Sequence, residues 1–288
     1  MLLLAGAVPV DKLPLIIGKI ELTDQGIKIE GNDLNINRGF EAMATSAYLT
    51  CMEFGAEAPH GLIAGDIGKR DGSEKVYEYL SDNLPTLGVS VLTLHYIMPD
   101  LKRNKKILES IASMENKPFM IADAGSMYVA KTGGDAGCYD IFTPDLGEVA
   151  FLADEKADHP TYTRGFIFHM ENNVPELIRM AYAAKNVPRT IFVKGETDYI
   201  CQDGEILKAI DQPCVDAMEP IGGTGDLITG MISGLVSAGK PAAEACMIAG
   251  HANRIAGMLT KPTPATQVQD ILKHLPEALR EAAKIVAG

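Results

Sequence analysis

The opening run "MLLLAGAVPV" is apolar at nearly every position. It has no basic lead and is too short to span a bilayer, so it reads as a strand buried on both faces. Comparable runs recur at "HGLIAG" (60–65), "VSVLTLHYI" (89–97), "KPFMIADAG" (117–125), "YDIFTP" (139–144) and "RTIFVKG" (189–195). Between them lie stretches with helical spacing: "SEKVYEYLSDNL", "DLKRNKKILESIAS", "GEVAFLAD" and "VPELIRMAYAAKN". From Gly225 onward the pattern is almost entirely helical. Short, continuously apolar strands alternating with helices predict an α/β fold, a mostly parallel sheet covered on both faces.

No solenoid-length repeat and no low-complexity linker divides the chain, so residues 1–288 read as one three-layer α/β/α domain. One segment breaks the alternation. "GKIELTDQGIKIEGND" (18–33) alternates apolar and polar residues about a "DQG" turn, which predicts a hairpin. It is either a small β lid over the site or a plain edge hairpin, and 89–97 is a second candidate for a lid strand. The apolar segment 227–238 carries glycines and serines at helical spacing, which argues for a packed helix and against a membrane span.

Composition narrows the partners. A net charge of −12 argues against nucleic acid or an anionic membrane as the main partner, but leaves room for a small anionic ligand in a local positive pocket. Cys51, Cys138, Cys201, Cys214 and Cys246 show no metal-binding spacing, which suits free thiols in a reducing cytoplasm.

In open α/β sheets ligands bind beyond the carboxyl ends of the strands. The most informative joint is "PIGGTGDLITGMISGLVSAGKP" (220–241). Leu227, Ile228, Met231, Ile232, Leu235 and Val236 form one stripe at the helical period, with Gly239 as a stop. Gly223, Thr224 and Gly225 therefore fall at a helix N-terminus, where unpaired N–H groups and the helix dipole attract an anion. Asp226 in that first turn is either a general base beside a phosphoryl site or an acid that merely stabilises the helix end. No Gly-Lys-Ser/Thr follows, so this is not a Walker A loop.

Other joints point into the same predicted cleft. Asp145 and Glu148 in "TPDLGEV" share one turn and could organise Mg2+ through its waters, or simply cap a helix. Lys194 ends a strand within reach of a phosphate, and Gly195 permits close backbone approach; a solvated strand-turn-strand is the competing reading. Asn37 and Gly39 in "NINRGF" could recognise a hydroxylated substrate, and Asp66 stands just past a strand end. The small residues of "AGHANRIAGMLTKPTPAT" (249–266) either leave a slot for adenine or mark close helix packing.

Taken together, these pieces resemble the ribokinase-like superfamily across nearly the whole chain. "IGGTGDLITGMISGL" looks like its anion-hole and catalytic-aspartate signature, and "DLGE" is similar to its magnesium motif with Asp145 in place of Asn. The resemblance implies ATP- or ADP-dependent, Mg2+-assisted phosphorylation of a hydroxyl on a sugar or other small molecule. Asp226 would be the base, Gly223, Thr224 and Gly225 the anion hole, and Glu148 a metal ligand. Lys194, Gly195 and Asn253 would lie on the nucleotide side, and Asn37, Gly39 and Asp66 on the substrate side. The substrate motif is reduced to Arg38-Gly39, which points away from an ordinary sugar. "TPDLGEVAFL", "VKGETDYI" and "GGTGDLITGMISGL" are also similar to the nucleotide-dependent NAD(P)H-hydrate dehydratases of the same superfamily. Thiamine-precursor kinases, a protein that binds nucleotide without turnover, and a dimer through the lid strands remain compatible with the sequence.

Overall fold

The computed structural model describes residues 1–157, 160 and 173–288. Leu2–Val8 forms β1, and all seven of its residues are buried. Successive side chains leave a strand on opposite faces, so Leu2, Leu4 and Val8 enter one core while Leu3 and Ala5 enter another. A strand with two apolar faces must be covered on both, and β1 lies inside the sheet accordingly. It pairs in parallel with β5 (His60–Gly65) on one side and β6 (Val91–His95) on the other. Beyond β6 the parallel register continues through β7 (Phe119–Ala122), β8 (Ile141–Phe142) and β9 (Thr190–Val193). β10 (Asp198–Gln202) and β11 (Glu205–Ile210) finish that edge antiparallel.

The other edge is built by β2 (Ile16–Leu22), β3 (Gly26–Ile29) and β4 (Asn32–Asn35), each antiparallel to its neighbour, with β2 seated on β5. The hairpin expected at 18–33 corresponds to β2 and β3. β4 is an addition that polar "NDLN" does not announce. Residues 89–97 do not belong with this flap, contrary to the expectation of a second lid strand there: β6 is parallel and interior. The reason is its burial on both faces, for all five residues of "VLTLH" are covered.

Helices cover both faces: α1 (Phe40–Glu53), α2 (Asp71–Asn83), α3 (Leu101–Ala112), α4 (Gly125–Gly133), α5 (Leu146–Ala153), α6 (Val174–Ala183), α7 (Thr224–Ser237), α8 (Ala242–Thr260), α9 (Val268–Leu272) and α10 (Leu275–Ala287). The apolar residues of α1 and α7–α10 share one core, those of α2–α6 the other. α1 and α7 approach closely because α7 presents glycine. A Cβ at Gly230 would lie 2.0 Å from Ser46 Oγ and 2.1 Å from the Met43 carbonyl. Ser46 Oγ uses that proximity to donate to the Leu227 carbonyl at 3.0 Å. Among the described residues no helix is long and apolar enough to cross a membrane. Because β5 and β6 extend the sheet in opposite directions from β1, the crevice falls over the carboxyl end of β1, where a doubly wound sheet places its ligand.

Candidate active site

The N-terminus of α7 stands at this end of the sheet, with Asp226 of its first turn 3.0 Å from His95 at the end of β6. Gly223, with φ of 102°, is its N-cap, a backbone conformation that favours glycine. The Leu227 N–H makes the bond to the Gly223 carbonyl at 3.1 Å, so the N–H groups of Thr224, Gly225 and Asp226 precede the intrahelical ladder. Gly222 is exposed and residues 223–225 are partly exposed, so the turn is open to a ligand. A Cβ at Gly225 would lie 3.7 Å from Lys194 Nζ, which brings an ammonium beside the helix-end amides. Amides and ammonium converge on one spot suited to an anion.

Asp226 stands at the back of this spot, 8% exposed. Its Oδ2 accepts the Gly39 N–H at 2.6 Å, and its Oδ1 lies 3.0 Å from His95 Nε2. The same Nε2 is 3.5 Å from Asp123 Oδ2. Asp123 in turn accepts Lys194 Nζ on both oxygens, at 3.1 and 3.0 Å, and Thr229 Oγ1 at 2.6 Å. The result is a row of alternating charge: Asp226, His95, Asp123, Lys194. Burial works to lower the His95 pKa, but hydrogen bonds to Asp123 and Asp226 outweigh it and raise it to about 9. Burial pushes Asp123 up, yet Lys194 and His95 hold it well below the usual carboxylate range. Lys194 is driven down by burial and up by Asp123 and Glu148; the carboxylates win. Glu41, buried in the first turn of α1, is pushed up to about 6 by burial and, in part, by Asp226. Donor atoms of His95, Asp123 and Asp226 lie within 4.8 Å of one another, but Lys194 and the His95 proton already fill the role a metal cation would take.

A second carboxylate pair flanks the row. Asp145 caps α5, accepting the Glu148 N–H at 2.8 Å, and Glu148 Oε2 accepts the Asp145 N–H at 2.9 Å. Tyr128 donates its hydroxyl to Glu148 Oε1 at 2.6 Å. Burial first, and Asp123 second, raise the Glu148 pKa to about 7. A hard-oxygen donor held part-protonated by nearby negative charge is a fitting ligand for Mg2+, whose charge would relieve that repulsion. Asp145 spends one carboxylate oxygen on the cap, so the capping expectation for this turn holds.

The remaining expected residues are spread around the crevice. Gly39 contacts Asp226 directly, whereas Asn37 is exposed on the same loop. Asp66 organises its own loop, accepting from the Gly68, Arg70 and Ser73 N–H groups and the Ser73 hydroxyl. Gly195 lies in the turn after β9, where Arg254 donates to its carbonyl at 3.1 Å and to that of Glu196 at 2.8 Å. Asn253, 8% exposed, carries an Oδ1 without a hydrogen-bond partner.

The sequence reading missed His95, Asp123, Glu41, Tyr128 and the buried Arg254–Asp198 pair. His95 and Asp123 had a usable signal, since each is a polar residue closing an apolar strand on the ligand side of the sheet. Glu41 looked like an ordinary first-turn acid, and Arg254 like one charge on a small-residue helix.

Comparison with known proteins places the chain. A family model described as NAD(P)H-hydrate dehydratase matches residues 97–277. An uncharacterized protein of Methanocaldococcus jannaschii is 40% identical over 224 residues, which is 77% of this chain and 92% of that protein. Among solved structures, the ADP/ATP-dependent NAD(P)H-hydrate dehydratase of Bacillus subtilis, co-crystallised with ATP and Mg2+, superposes with a TM-score of 0.59 at 17% identity, covering 97% of this chain and 90% of that one. A ribokinase-like superfamily protein of Enterococcus faecalis gives a TM-score of 0.57 at 17% identity, covering 98% and 87%. The chain shares the ribokinase-like fold and belongs to the NAD(P)H-hydrate dehydratase family.

Proposed function

We propose that the chain uses ATP or ADP, with Mg2+, to dehydrate a hydrated nicotinamide dinucleotide, and that it does so by phosphorylating the added hydroxyl. The observation that carries this reading is the placement of Asp226 at the mouth of α7, beside Lys194 and the amides of 224–226. A family of this name, with a relative co-crystallised with ATP and Mg2+, supports the dehydratase over the phosphorylation of a sugar. In the proposed step the substrate hydroxyl gives its proton to Asp226 as its oxygen bonds the terminal phosphorus. The bond to the bridging oxygen breaks, and its electron pair leaves with the nucleoside diphosphate, or monophosphate when ADP is the donor. Lys194 and the helix amides hold the charge that develops on the transferred group. Phosphate then departs with the C–O electron pair, and a proton lost from the adjacent carbon leaves the double bond. Glu148, with Asp145 beside it, would hold the Mg2+, which when bound offsets the charge of the polyphosphate.

A second reading, a kinase for another small hydroxylated molecule, is favoured by one observation. The family match begins at residue 97, while the strand ends and loops on the acceptor side, including Gly39 and His95, precede it. The two readings differ in what accumulates. The dehydratase restores dihydronicotinamide absorbance with free phosphate in equal amount; the kinase leaves a stable phosphate ester. Incubation of hydrated NADH with each nucleotide and Mg2+ decides between them. Asp226→Asn should lower turnover about 10²–10⁴-fold with nucleotide binding retained. Unchanged turnover in that variant refutes the assigned base.

A further inference from the structure

His95 and Asp123 are the two buried ionisable groups of the row to which the proposed reaction assigns no part. The single Nε2 of His95 faces two acceptors, Asp226 at 3.0 Å and Asp123 at 3.5 Å, while its Nδ1 is buried with no hydrogen-bond partner. The ring is therefore fastened at one atom, and that atom is shared. Asp226 is fully engaged by it. With Gly39 N–H on one oxygen and His95 on the other, the carboxylate that should take a proton has a donor on each oxygen. Asp123 is engaged as well, chiefly by Lys194, whose ammonium also lies beside the helix-end amides.

We propose that His95 is a positioning residue that ties the readiness of Asp226 to the occupancy of the phosphate site at Lys194. This rests on the phosphoryl-transfer reading of the site. A polyphosphate seated on the amides of 224–226 shares the Lys194 ammonium and leaves Asp123 short of positive charge. Asp123 then draws the His95 Nε2–H toward itself. The shift needed is small, because both carboxylates already flank the same nitrogen. Asp226 Oδ1 loses its donor and becomes free to accept the proton of the substrate hydroxyl. Without a nucleotide the base stays masked. No covalent bond changes in this exchange; one hydrogen bond moves from one carboxylate to the other.

The groups that face His95 set the direction. Asp226 approaches from α7, Asp123 from the end of β7 and Glu41 from α1, with the Tyr96 ring edge-on at 4.3 Å. Lys194 acts from behind Asp123. Three carboxylates against one distal ammonium favour the imidazolium, and an imidazolium is what a charge-driven shift requires.

The test has two arms. In the first, turnover is followed against pH in the wild type and in His95→Gln, which keeps a donor but carries no charge. The expected result is a kcat about 10–100-fold lower, nucleotide affinity within about twofold, and loss of an alkaline limb expected in the wild type where His95 deprotonates, at about 9. A variant that keeps the wild-type pH profile overturns the proposal. The second arm needs no turnover and no folded variant. Magnetic resonance of isotope-labelled histidine in the wild type follows the ring while inorganic tripolyphosphate is added. A shift of the His95 Nε2 resonance on saturation supports the coupling; an unmoved resonance at saturation overturns it. If the enzyme turns over no acceptor, the functional reading fails while this second arm still decides the coupling.

Discussion

Gly230→Ala probes the joint on which the whole site rests, because it adds one methyl group where α1 and α7 nearly touch. The new Cβ would sit 2.0 Å from Ser46 Oγ and 2.1 Å from the Met43 carbonyl oxygen. Ordinary carbon–oxygen contact begins at roughly 3.3 Å, so the helices must part by about 1 Å or Ser46 must swing away. Swinging away gives up its bonds to the Met43 and Leu227 carbonyls at 2.9 and 3.0 Å, a loss of about 1 kcal/mol. The Met43 carbonyl is helix backbone and cannot rotate aside. Forced repacking costs about 1–3 kcal/mol, and the better helix propensity of alanine returns about 1 kcal/mol. The balance is a destabilisation of about 1–3 kcal/mol, a Tm lower by roughly 2–5 °C for a chain of this size. Thermal and urea unfolding would read it, with Gly137→Ala as the control because nothing lies within 4 Å of that position. Function should fall with stability, since α1 begins at Phe40 and the adjoining Gly39 N–H holds Asp226. A Gly230→Ala protein as stable as the wild type would refute the close approach of the two helices.

Arg254→Met should be costly for a different reason: it strands Asp198, 3% exposed and paired at 2.8 Å with the Arg254 guanidinium. Breaking one side of a buried pair costs about 3–5 kcal/mol, and the turn at 195–197 loses its clamp, so nucleotide affinity should drop as well. Adding Asp198→Asn should recover part of the stability; a single variant within about 1 kcal/mol of wild type sinks the argument. Glu148 predicts a pH effect. Its pKa is raised from 4.5 to about 7, so between those values the folded state binds a proton that the unfolded state does not. Stability therefore falls as pH rises through that window, and Glu41, raised to about 6, adds in the same direction. Glu148→Gln should flatten the slope of unfolding midpoint against pH, and Mg2+ should raise the wild-type midpoint more above pH 7 than below 4.5. An unchanged slope in Glu148→Gln would discount the carboxylate as the source.

The layered sheet was legible because burial on two faces leaves an unmistakable trace: β1, β5, β6, β7 and β9 are all apolar runs bounded by polar or glycine-rich joints. β4 and β11 were not. Every residue of β11 but Ile210 is exposed, so an edge strand held by backbone bonds alone shows no hydrophobic period. At the site, the glycine-rich start of α7 could be read from one dimension, since unpaired amides and a helix stripe are local properties. The row Asp226–His95–Asp123–Lys194 could not. Its members come from α7, the end of β6 and the residues just past β7 and β9, and only the parallel order of the strands brings their carboxyl ends side by side. Asp66 shows the converse: a polar residue past a strand end satisfies the rule, yet its carboxylate is used up by the loop that carries it.

The division of the chain by the family match has a physical counterpart in the site. In the proposed reading, residues after 97 supply the groups that would meet phosphate and its metal, Lys194, Glu148 and the amides of α7, with Asp123 behind Lys194. Residues before it supply Gly39, Glu41, Asp66, His95 and Tyr96, grouped around the loops after β5 and β6 and the start of α1. Asp226 is held by both, through Gly39 and His95 from the early part and through its own helix from the late one. If Asp226 is the base proposed above, it could keep its chemistry while the acceptor side varied, because what fixes it from the early half is one backbone N–H and one ring nitrogen. The side chains free to meet an acceptor are others. Tyr96 is 49% exposed, holds a φ of 53° and lies about 3.5 Å from where a Gly39 Cβ would stand. A non-glycine residue kept at positive φ is strained and persists only when its surroundings fix it there. Here those surroundings are the loop that binds Asp226 and the ring of His95, so in the proposed reading the surface offered to the acceptor and the geometry of the base would be set by the same few residues.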